Sequence, residues 1–92
     1  MPKLNGKQEG GELSHKIMQT HLYMQGGTFF ISTIYRRSSA ALNPDGWYYE
    51  TMCWKLQEDG DKGELVDDNS GAMSFKSALD QHVEVITRLK SK

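Results

Sequence analysis

The chain has 92 residues and carries 11 Lys+Arg against 12 Asp+Glu, for a formal net charge of −1. That is one domain, with neither the basic excess a nonspecific nucleic-acid binder needs nor room for a large enzyme built around a deep pocket. Hydrophobic residues make up 37%, below the roughly 45–50% of ordinary globular domains, so a thin core is expected.

No apolar run approaches the roughly 18 residues of a membrane span, and no signal-peptide apolar region follows the N-terminus. The single cysteine, Cys53, excludes an internal disulfide and fits a reducing compartment. A cytoplasmic location is expected, with no membrane partner.

Residues 1–12 (MPKLNGKQEGGE) hold three Gly, one Pro and few apolar side chains. Such a stretch buries too little to offset its ordering entropy and reads as a disordered tail. Residues 13–27 read as an arm or a short helix. Ser14 is a possible cap, and Ile17, Met18, His21 and Leu22 fall on one side, although a strand near 22–24 is also compatible. Residues 28–92 are expected to form a single α+β domain. Within it, 28–36 (TFFISTIYR) are β-branched or aromatic at almost every position and read as a strand. Residues 37–46 form a loop ending in Asn43-Pro44-Asp45-Gly46, where Pro presets φ and Gly accepts φ > 0.

Residues 47–57 (WYYETMCWKLQ) are the second strand. One face holds Tyr48, Glu50, Met52, Trp54 and Leu56; the other holds Trp47, Tyr49, Thr51, Cys53 and Lys55. The first set is the more apolar and is expected to face the core, Glu50 excepted. After a polar turn at 58–63, residues 64–66 start a short third strand.

Ser74 caps a helix over 74–90, with Phe75, Ala78, Leu79, Val83, Ile86 and Leu89 on its apolar stripe and Val85 beside it. Arg88, Lys90 and Lys92 complement the macrodipole at its C-terminal end. The expected fold class is α+β: a small antiparallel sheet of two to three strands, one C-terminal helix packed on one face, and a flexible N-terminal arm.

Ile31-Ser32-Thr33-Ile34-Tyr35, a Pro-containing loop, Glu50-Thr51-Met52 followed by Trp54, then Ser74, Ala78 and His82 form a pattern of S-T-I, E-T-M-x-W and S-x3-A-x3-H. Over roughly residues 30–89 it resembles a group of small uncharacterised bacteriophage and prophage proteins. The resemblance implies a phage origin and a β-β-α order, and no catalytic chemistry.

Glu50 on the inward strand face and His82 on the helix stripe are expected to meet as a structural polar pair, since a buried carboxylate needs a donor. A general acid/base pair is the alternative, which would also need a cleft and a third group. His15, His21, His82 and Cys53 lack the spacing of a zinc site. Asp59 and Asp61 begin a calcium-loop pattern that Gly63 and Ser70 do not continue. No metal or cofactor is expected.

Glu58, Asp59, Asp61, Glu64, Asp67 and Asp68 read as a solvated turn, with an acidic patch for a basic partner as the alternative. Arg36 and Arg37, near Tyr35, Tyr48 and Tyr49, read as edge charges rather than a nucleic-acid stacking surface. Phe29, Ile31, Tyr35, Trp47 and Tyr49 share the second sheet face. If the helix covers only the first, this set with Arg36 and Arg37 is a candidate protein interface; cover by Ile17, Leu22 and Tyr23 of the arm is the competitor. The expected function is stoichiometric binding of a protein, either self (a homo-oligomer) or host, as an inhibitor of a host defence protein. The alternatives are a minor virion component, and a small-ligand binder or enzyme using Glu50 and His82.

Overall fold

The computed structural model describes residues 14–38 and 45–91. Four strands, β1 (Ser14–Met24), β2 (Gly27–Arg37), β3 (Trp47–Leu56) and β4 (Lys62–Asn69), precede one helix, α1 (Phe75–Lys90). The sheet is an antiparallel meander in the order β1-β2-β3-β4. The α+β class is as expected, but the strand number is corrected from two or three to four. The tail at 1–12 and positions 39–44 of the 37–46 loop, including Asn43-Pro44, lie outside the described residues.

The segment expected to be a short helix or arm is an eleven-residue strand. Its alternation puts Thr20, Leu22 and Met24 half-buried and His21 and Tyr23 exposed, a period of two rather than 3.6. A tight turn at Gln25-Gly26 follows. It folds β1 back along β2 in a register that sets Leu22 beside Phe29 and Thr20 beside Ile31. That pairing satisfies the β1 backbone groups that face β2, which a detached arm would leave to water. One extra residue at Ile17 bulges β1.

β2 and β3 pair without interruption from Phe29–Lys55 to Arg37–Trp47. The expected left-handed glycine stands at Gly46, with φ of +82° and its carbonyl accepting from Ser38 N at 2.8 Å. The β3–β4 turn closes through Gln57 N to Asp61 O at 2.8 Å, with Gly60 at φ +91°. β4 extends well beyond the expected 64–66.

Ser74 caps α1 as its hydroxyl predicts: Oγ accepts from Ser77 N at 3.1 Å. Arg88 and Lys90 occupy the last turn. Ala78, Gln81, His82, Val85 and Leu89 are the buried residues of the helix. Val85 and Leu89 pack with Ile31 and Cys53, and Leu22, Met24, Phe29 and Ile86 close around them. The helix therefore lies on the face of Phe29, Ile31, Thr33, Thr51 and Cys53. This reverses the expected choice of Tyr48, Glu50, Met52, Trp54 and Leu56. The chosen face is lined at its centre by threonine, isoleucine and cysteine, short enough to let the helix backbone approach. Phe30, Met52, Trp54 and Tyr48 on the other face would hold it off.

Candidate functional site

Glu50 and His82, expected to pair, are on opposite sides of the sheet. The helix took the face of Thr51, so the neighbouring Glu50 points away from it. Glu50 instead accepts from Arg36 Nη1 at 2.8 Å, one strand over and on the same face. Burial raises its pKa, reinforced by a hydrogen bond shared with Asp68; the Arg36 guanidinium pulls the other way. The carboxyl therefore holds its proton to a higher pH than an ordinary glutamate. Arg36 Nε beside it is buried with no partner among the described residues. Tyr48 lies on this face under the guanidinium, 5.9 Å from its ring centre to Cζ.

His82 is fully buried and sits inside a chain of side-chain hydrogen bonds. Nδ1 lies 2.7 Å from Thr33 Oγ1, and Nε2 lies 2.9 Å from Thr20 Oγ1. Thr33 Oγ1 is 2.7 Å from Thr51 Oγ1. Gln81 Nε2 closes the chain, donating to Thr51 Oγ1 at 2.9 Å and to Asn69 O at 3.0 Å. A neutral imidazole fits, with one ring nitrogen donating and the other accepting. Burial lowers the His82 pKa. The chain ties α1 to all four strands. It faces no carboxylate, and His82 has no exposed surface through which a substrate would reach it.

The expected interface is divided. Ile31 is in the core under the helix and Phe29 packs against it. Tyr35, Trp47 and Tyr49 continue the same face as a half-buried ring stack, with centroids 4.9 Å apart for Tyr35–Trp47 and 4.5 Å for Tyr35–Tyr49; His15 stacks on Trp47 at 5.8 Å. Arg36 is on the other face. Arg37 is exposed and donates from Nε to Asp45 O at 3.1 Å. The correction follows from the helix placement: the face expected to be open is the covered one.

The six acidic residues do not act together either. Glu58, Asp59 and Asp61 lie in the β3–β4 turn, where Asp59 Oδ1 accepts from Asp61 N at 3.0 Å. Asp67 accepts from Arg88 Nη2 of the helix at 2.8 Å. Asp68, one residue on, points to the opposite face and meets Glu50. Glu64 is exposed on β4. Among the described residues, no three His, Cys, Asp or Glu side chains converge to hold a metal ion.

On the face away from the helix, Phe30 stacks on Trp54 at 6.0 Å and His21 tilts onto Phe30 at 4.8 Å. Lys62 Nζ lies over Trp54, 4.1 Å from its centroid. An open cleft of about 270 Å³ lies at this end, lined by His21, Tyr23, Thr28, Leu56, Gln57, Glu58 and Gly60.

One surface escaped the sequence reading. Phe75 and Val83 are 55% and 56% exposed, and Met73 before the helix is also exposed. With half-buried Leu79 and Ile86, Phe75 and Val83 form a second apolar stripe, turned from the buried one by about a quarter of the helix circumference. Its direction follows from the bonds above. Gln81 and Arg88 reach β4, whereas His82, on the other flank, reaches β1. The Phe75–Leu79–Val83 flank therefore looks out over β1. The spacing of four between these residues was the available signal, but a single broad stripe absorbed it.

No helix among the described residues is long and apolar enough to cross a membrane. No protein-family model, curated protein or solved structure matches the chain.

Proposed function

We propose that the chain is a protein-binding module that acts by stoichiometric association rather than by catalysis. The observation that carries this reading is the solvent-facing apolar flank of α1. Phe75 and Val83 stand on a rigid, capped helix, with Met73 just before it, and all three are exposed although the adjoining stripe is buried. Exposed apolar side chains grouped on one element mark contact surfaces more often than isolated ones do. The two polar constellations support the same reading. The His82 chain is consumed in joining helix to sheet, and Glu50 is engaged by Arg36. The resemblance to small phage proteins suggests a host protein as one class of partner, with inhibition as the outcome of binding.

The test is affinity purification of the tagged chain from its natural host, alongside a Phe75→Lys/Val83→Lys variant. Both side chains are exposed, so the variant keeps the fold, checked by circular dichroism. The expected result is a stoichiometric partner, which includes the untagged chain itself, retained by the wild type and lost by the variant. Recovery of no stoichiometric partner, or equal recovery by both proteins, overturns the reading.

A further inference from the structure

The two outer strands of the sheet differ in charge and regularity. β4 carries Glu64, Asp67 and Asp68 among its eight residues, and its register with β3 breaks twice. Clustered carboxylates and an irregular backbone are how sheet edges resist a further strand. β1 has neither protection to that degree. It is eleven residues long, contains no Asp or Glu and one lysine, Lys16, and departs from regular pairing once, at Ile17. An edge of that length presents a row of backbone donors and acceptors suited to an incoming strand.

The helix is asymmetric in the same sense. Its flank toward β4 is polar, with Gln81, Glu84 and Arg88. Its flank toward β1 carries Phe75, Leu79 and Val83. The edge with the single charge of Lys16 and the apolar helix flank thus lie on one side of the molecule, the carboxylate-rich edge and polar flank on the other.

We infer that β1 pairs antiparallel with β1 of a second copy of this chain, giving one continuous eight-stranded sheet with both helices on the same side. This rests on the protein-binding reading above and names the partner. The two copies are related by a twofold axis, so the assembly closes at the dimer. Pairing centred on Thr20 sets Met18 opposite Leu22 and Gln19 opposite His21, so that paired side chains share a face, and keeps Lys16 from its own copy. The apolar flanks of the two helices then turn toward each other across the paired strands, above a floor of Met18, Thr20 and Leu22 from each chain. Pairing of β1 with β4 of the next copy would instead set the apolar flank against Glu84 and Arg88 and leave a free edge at each end. The distribution of charge favours the closed arrangement.

Sedimentation equilibrium of the purified full chain tests this from micromolar to submillimolar concentration. The expected result is a reversible dimer of twice 10.4 kDa. His21→Lys/Tyr23→Lys on β1 changes two exposed side chains, Tyr23 at 77% exposure, and brings lysines together across the axis. It is expected to weaken dimerisation about tenfold or more, whereas Glu64→Lys on β4 leaves it unchanged. Amide exchange in the wild type supplies a readout that needs no variant: β1 is expected to gain protection as concentration rises, and β4 is not. A monomer at every concentration, a dimer indifferent to the β1 lysines, or protection gained at β4 instead of β1 overturns the inference. A monomeric pure chain that still retains a foreign partner through Phe75 and Val83 overturns the second-copy partner alone. Loss of both overturns the binding reading as well.

Discussion

The two faces of the sheet differ in an unexpected direction. The face under the helix is polar at its centre, where Thr20, Thr33, Thr51 and His82 are joined by hydrogen bonds of 2.7–2.9 Å. The face away from the helix carries Phe30, Ile34, Met52 and Trp54, and the more apolar row is not the one the helix covers. Close approach governs the choice. Short or β-branched side chains admit a helix, and their hydroxyls cost little when each finds a partner. Bulky rings stack on one another across strands without a helix above them.

Ile31 and Ile34 give the sharpest way to break this comparison, being 0% and 1% exposed on opposite faces. Ile31→Ala opens a cavity against Val85, Leu89 and Cys53, and is expected to cost about 3–4 kcal/mol. Ile34→Ala is expected to cost about 1–2 kcal/mol, because its in-register neighbours Lys16 and Glu50 have flexible side chains that can close over the gap. Urea denaturation of both variants measures the difference. Equal losses would mean that the face away from the helix is as rigidly packed as the covered one.

His82→Ala leaves Thr20 and Thr33 buried without their partner and is expected to cost about 2–3 kcal/mol, or about 10–20 °C in Tm for a domain of this size. The pH dependence has a definite sign. Burial holds the folded pKa of His82 below its ordinary 6.5, so the unfolded chain binds the proton more readily between the two values. Stability is full above the ordinary value and declines as the solution is acidified below it. A His82→Gln variant is expected to show a shallower decline in Tm from neutral to mildly acid solution. An unchanged slope would place the titrating group elsewhere.

The smallest effect is expected on the other face. Glu50→Gln replaces a carboxylate with an amide that can still accept from Arg36, and is expected to shift stability by less than about 1 kcal/mol. The signature is in the titration. The folded pKa of Glu50 is raised above the ordinary 4.5, so the folded state holds the proton more tightly. The contribution from this group is present at acid pH and is lost as pH rises through the raised value, opposite in sign to that of His82. Carbon-detected NMR of the Glu50 carboxyl is expected to give a midpoint above 4.5, moving higher in Arg36→Met. A midpoint at or below 4.5 would show that the ion pair outweighs burial.

Local chemistry was legible in the residues. The Ser74 cap, the apolar period of α1, the β-branched run of β2 and the glycine at 46 each depend on neighbours within a few positions. The β1 strand was not legible: Ser14, Ile17, Met18, His21 and Leu22 satisfy a helical period nearly as well as alternation. Only pairing with β2 decides between them. The Glu50–His82 pairing failed for a related reason. Period two separates a strand into two faces but does not say which one a helix will cover, and choosing the wrong one moves every inward residue outward.

By itself, then, the sequence determined the α+β class, the helix and its cap, the two central strands, and the residues that share each face. Tertiary structure alone decided which face is covered, and with it the separation of Glu50 from His82, the burial of Ile31, and the direction of the Phe75–Val83 flank. The physical reason is that helix-on-sheet packing depends on the combined shape of side chains brought together from all four strands, and no single stretch of the chain contains that shape.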